Sequence, residues 1–84
     1  MEPLDPRLDE VLELEASWWG LGVTKDRAVR ERLGLSPARY HQLLDRAIDR
    51  PEALTRHTML VLRLRRLREE RRRARSASPL GLGA

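Results

Sequence analysis

Arginine is the residue type through which this chain has most scope for chemistry. From Arg63 to Arg75 the sequence RLRRLREERRRAR carries eight arginines against two glutamates. A guanidinium forks onto phosphate oxygens, so a cluster of this density suits a nucleic-acid backbone. The candidate backbone contacts here are Arg68, Arg71, Arg72, Arg73 and Arg75. The competing partner is internal: Asp9, Glu10, Glu13 and Glu15, brought alongside by a helix–helix contact. Exposed pairs of that kind contribute only about 0–1 kcal/mol each, too little to account for the run. Nucleic acid is the favoured partner.

A second constellation lies between Thr24 and Asp49, TKDRAVRERLGLSPARYHQLLDRAID. Thr24 is a helix cap, Gly34 a left-handed stop, Ser36 the next cap and Pro37 a first-turn proline. Tyr40, Leu43, Leu44, Ala47 and Ile48 fall at i, i+3, i+4, i+7 and i+8, a complete amphipathic stripe. Helix, glycine-bearing turn and capped second helix are the sequence form of a helix-turn-helix. Opposite the stripe lie Ala38, Gln42, Asp45 and Asp49, flanked by Arg39 and Arg46 on one side and His41 on the other. Arg39 has the fork to hold a guanine, Gln42 the amide to hold an adenine, and Ala38 the methyl to touch a thymine. Lys25, Arg27, Arg30 and Arg32 on the preceding helix, with Arg46, are candidate phosphate clamps. Asp45 and Asp49 oppose a deeply laid helix and are tolerable only if it enters the groove N-terminus first. The alternative is an ordinary solvated face.

Other chemistry finds little material. There is no cysteine, hence no disulfide or thiolate metal site. His41 and His57 stand apart with no ligand at metal spacing, and no nucleophile–base–orienter set is visible. Gly20-Leu21-Gly22 lacks the preceding strand and third glycine of a phosphate loop. The sequence therefore points away from an enzyme, a cofactor, a metal or a small-molecule substrate. The longest apolar run, Met59 to Leu62, is too short to span a bilayer, and no secretory signal pattern opens the chain. A cytoplasmic location, at the nucleoid, is expected.

The elements that must position these residues read as helices. Eighty-four residues with 40% apolar and 4% aromatic content make one small leucine- and valine-based domain. Charge is sorted along it: net −5 to Gly20, +3 to Leu62 and +6 beyond. Asp5-Pro6 opens a helix to about Trp19, with Leu8, Val11 and Leu12 on one face and Leu14 off it. Trp18 and Trp19 are adjacent, about 100° apart, so one packs under the helix-turn-helix and the other lies at an edge or interface. Pro51 stops the second constellation's last helix near Asp49 or Arg50 and starts a short turn of helix to about Arg56. Thr58 caps a final helix from Met59, with Leu60, Leu64 and Leu67 as its seam and helix formers continuing to Arg75. The expected architecture is an all-α bundle of four to five helices over residues 1–75, with a disordered tail at 76–84.

Trp18-Trp19, GLSPARYHQLL at Gly34 to Leu44, IDRPEAL at Ile48 to Leu54 and MLVLRLRRLREERRRAR at Met59 to Arg75 together resemble a small actinobacterial family. That family is labelled a domain of unknown function, number three-two-six-three. The resemblance implies a helical, helix-turn-helix-like domain and brings no activity. The turn RERLGLSPARYHQLL is also similar to that of DNA-reading helices in sigma factors and response regulators. Those modules place alanine four residues before the turn glycine, where this chain has Arg30. Either Ala28 and Val29 take over the interhelix contact, or the helices cross differently. The favoured expectation is duplex-DNA binding in transcription control or nucleoid organisation, with homodimerisation possible. The alternative is an adaptor that meets a protein, such as the transcription machinery, through the tryptophans, the acidic first helix and the arginines.

Overall fold

A computed structural model describes residues 2–77. In chain order they form α1 (Pro6–Ser17), one 3-10 turn (Trp18–Leu21), α2 (Lys25–Leu33), α3 (Pro37–Ile48), α4 (Pro51–Arg56) and α5 (Thr58–Ala77), with no strand among the described residues. The fold is all-α.

Short polar side chains set the helix starts. Asp5 accepts from the Arg7 N–H at 2.8 Å, Thr24 from Arg27 at 3.2 Å and Ser36 from Arg39 at 3.1 Å. Each satisfies an amide that the first helical turn leaves orphaned. Gly34 ends α2 at φ 67°, a left-handed conformation that a β-carbon would disfavour, and its N–H reaches the Arg30 carbonyl at 2.9 Å. Arg7 of α1 donates to the Leu33 carbonyl, which covers the same helix end from outside.

α3 is the centre of the core. Its whole predicted stripe, Tyr40, Leu43, Leu44, Ala47 and Ile48, is buried. It packs most extensively on α1, where Leu8, Val11, Leu12 and Leu14 are buried. Leu14 corrects the expectation that it lies off the stripe: α1 also contacts α2 and the 3-10 turn, so its covered sector is wider than one face. Ala28 and Val29 are buried and Arg30 is exposed, so α2 joins the core through the first two. The Tyr40 hydroxyl ties this centre together, donating to Glu15 Oε1 at 2.7 Å with the Val11 carbonyl 3.3 Å away. Burial, then the neighbouring Glu15 carboxylate, pushes the phenol pKa far above its ordinary value.

Four details differ from the sequence expectation. α1 stops at Ser17, and Trp18–Leu21 tighten into the 3-10 turn before Gly22 takes φ 74°. The adjacent tryptophans, by contrast, divide as expected: Trp18 packs against the core while Trp19 is exposed, its ring N–H on the Ala16 carbonyl at 3.2 Å. Thr58 does not cap α5; its hydroxyl turns back to the Leu54 carbonyl at 2.7 Å. The α5 seam is shifted by one residue: Val61 is fully buried, Leu60 and Leu64 are partly buried, and Leu67 is 39% exposed. α5 also runs through Ser76 and Ala77, which the sequence assigned to the tail; the remaining tail positions, 78–84, lie outside the described residues. No helix among the described residues is long and apolar enough to cross a membrane.

Candidate nucleic-acid interface

The α3 caps and core stripe leave one face of that helix to solvent, and the predicted base-reading residues lie on it. Ala38, Arg39 and Gln42 are all exposed. Arg39 Nη1 donates to Gln42 Oε1 at 3.2 Å, so the two candidate readers sit one helical turn apart as a pair. Arg46 continues the same flank and is exposed. The Arg39–Gln42 pairing presents a guanidinium and an amide at a common spot near the helix N-terminus.

The predicted backbone clamps divide into two groups. Lys25 is engaged inside the fold: its ammonium meets Glu15 at 2.8 Å and lies 5.6 Å from the Tyr40 ring centroid. With both partners largely covered, this is a brace between α1, α2 and α3 rather than an outward cation. Arg27 pairs with Glu31 at 2.7 Å on an exposed turn of α2, an exchangeable contact, while Arg30 stands exposed.

On α5 the eight arginines are sorted by helical position. Arg65 and Arg68 share the side of buried Val61 and reach the end of α3. Arg65 Nε donates to the Ile48 carbonyl at 2.6 Å, and Arg68 meets the Asp49 carboxylate at 2.7 Å. The Arg68 hydrogen bond holds the Asp49 carboxyl below its ordinary range, with the charges of Arg65 and Arg72 assisting against a smaller burial effect. Arg72 meets Glu69 at 3.4 Å. Arg63, Arg66, Arg71, Arg73 and Arg75 have no carboxylate partner among the described residues.

The acidic helix α1 does not neutralise that run. Glu10 pairs with Arg7, Glu15 with Lys25 and Tyr40, and Asp9 with Arg56 and His57. Sequence spacing could not reveal the last group, because His57 and Asp9 lie 48 residues apart. The sequence left His57 solitary. The fold instead brings Asp9, Glu13 and His57 ligand atoms within 4.8 Å of one another. Arg56 Nε and His57 Nε2 converge on the same Asp9 oxygen, at 2.8 and 2.7 Å. This cluster therefore carries its own cation and ties α1 to the α4–α5 junction. Burial raises the Asp9 pKa, but the hydrogen bonds from His57 and Arg56 outweigh it and hold the carboxyl below its usual value.

The sequence blocks quoted for the family are thus one continuous helical unit, and a family model, Protein of unknown function (DUF3263), matches residues 3–76. The chain belongs to the DUF3263 family. No curated protein and no solved structure matches it. For this DUF3263 domain the match spans every helix from α1 into the last turn of α5, so the α2–α3 turn and the arginine run belong to one folded unit.

Proposed function

We propose that this domain binds duplex DNA, with α2 and α3 acting as a helix-turn-helix. The observation that carries the reading is the surplus of positive charge on α5: five arginines between Arg63 and Arg75 lack a carboxylate partner among the described residues, although an acidic helix is present in the same domain. A phosphate backbone supplies the missing anions. The exposed Arg39–Gln42 pair adds side chains suited to base edges, and Ala38 beside them is small enough to meet a thymine methyl. Arg30, Arg46 and the free α5 arginines are the backbone contacts in this account; Arg68 acts by neutralising Asp49. Regulation of transcription or nucleoid organisation, in the cytoplasm, is the corresponding role. Anisotropy titration against duplex fragments at several salt concentrations tests it. With about three to five phosphates neutralised, log K against log salt should slope at roughly −2.7 to −4.5. A slope near zero would defeat the proposal.

A further inference from the structure

We infer that the groove between α3 and α5 docks an acidic amphipathic helix of a partner protein. α5 runs back along α3, since Arg65 and Arg68 meet the α3 C-terminus while Arg71 and Arg75 line a groove shared with His41. That groove encloses about 460 Å³. Leu44 and Ile48 of α3 with Leu64 and Leu67 of α5 give it an aliphatic floor, and Arg71 and Arg75 form a charged wall on the α5 side. The floor is incompletely closed, with Leu67 39% exposed and Leu64 only partly buried. Arg71 and Arg75 are four residues apart, so they stack on one face of α5 and meet acids that share that spacing. From Leu64 to Arg75 the helix rises about 16 Å, room for about three turns of a second helix.

The chemistry of the groove selects its occupant. Leucine side chains bind aliphatic groups, of which a sugar–phosphate backbone offers little, so the four-residue floor favours a protein helix over a nucleic acid. A helix with a leucine stripe beside carboxylates satisfies both the floor and the arginine wall. A second copy of this chain does not fit. Its acidic helix is α1, and the apolar stripe of α1 is already spent in its own core through Leu8, Val11 and Leu12. Lys25 and Glu15 at the far rim satisfy each other. Among the described residues, the charges left unpaired in the groove are Arg71 and Arg75 on the α5 side against Asp45 on the α3 side, a positive balance that places a partner's carboxylates along α5. Docking here would withdraw Arg71 and Arg75 from any nucleic acid, yet it stands or falls independently of duplex binding.

The test uses the full chain and a designed, fluorescein-labelled 14-residue peptide with leucines at i, i+3 and i+7 and glutamates along one border, beside a shuffled peptide of the same composition. Anisotropy at about 0.15 M salt should show the striped peptide binding at least tenfold more tightly than the shuffled one. Leu67→Asp should remove that advantage, and Arg71→Glu with Arg75→Glu should weaken the striped peptide at least tenfold; all three sites are exposed, and circular dichroism checks the fold. Equal binding of the two peptides, or indifference to Leu67→Asp, would overturn the proposal. So would self-association that Leu67→Asp abolishes, which would put a second copy in the groove. Contacts between Leu67 and the methyls of Leu80 or Leu82 in spectra of the free chain would also overturn it, by making this chain's own end the occupant.

Discussion

Arg68 forks onto Asp49: Nη2 donates to Oδ1 at 2.7 Å and Nη1 to Oδ2 at 3.2 Å. The pair joins α5 to the C-cap of α3 and covers a carboxylate on the α3 face proposed for DNA. Arg68→Ala should therefore act mainly through Asp49. Stability should fall by no more than about 1 kcal/mol, because Asp49 is 60% exposed. Duplex affinity should fall about three- to tenfold for all sequences alike, and adding Asp49→Asn should restore most of it. Titrating the parent, both single variants and the double variant closes the cycle. If Asp49→Asn restores nothing, Arg68 contacts phosphate itself.

Stability should depend on α3 and what it packs against. Leu12 is fully buried, so Leu12→Ala should cost about 2–5 kcal/mol in a denaturant melt. Leu44 borders the groove at 8% exposed, and Leu44→Ala should fall at the low end of that range or below it. Tyr40→Phe should cost about 1.5–3 kcal/mol, the loss of a covered hydrogen bond to a charged acceptor.

The α2–α3 turn should be sensitive at its two punctuation residues. Ser36→Ala should cost about 1 kcal/mol through the lost bond to the Arg39 amide. Gly34→Ala meets no steric obstacle but must hold φ 67°, for about 1–2 kcal/mol. Matching chemical melts of both variants against the parent measures these terms; a neutral Gly34→Ala would contradict the left-handed turn.

Acid should weaken the fold through two carboxyls. Asp9 and Asp49 both titrate below the ordinary value of 3.8. A carboxyl depressed in the fold contributes stability above its unfolded pKa and loses it as pH falls through the folded one. Unfolding free energy should thus decline from about pH 4 downward, and Asp9→Asn should flatten that limb. An unchanged limb in Asp9→Asn would show that the Arg56–Asp9–His57 junction does not contribute.

The sequence was most legible where one residue decides a local conformation. Asp5, Thr24, Gly34, Ser36 and Pro51 each act within their own turn, and each element boundary they announce is present. α3 was legible because its stripe is complete. α5 was not, because Met59 to Leu62 is apolar in every direction and any register finds a leucine. What fixes the register is Val61 in the core together with Arg65 on the Ile48 carbonyl, a contact across 17 residues that no spacing announces. The same limit hid Asp9 with His57, and Lys25 with Glu15. The face carrying Arg39 and Gln42 was legible because it follows from the helix that buries Tyr40.

Arg39→Ala tests base reading by α3 most directly. Parent and variant are titrated in competition against the best-bound duplex and a scrambled one. A bidentate contact to guanine carries about 1–3 kcal/mol of discrimination, so its loss should shrink the preference about five- to a hundredfold while scrambled-duplex binding falls much less. If Arg39 touched only phosphate, both affinities would fall together. A preference ratio unchanged by Arg39→Ala would contradict the account, whatever happened to overall affinity.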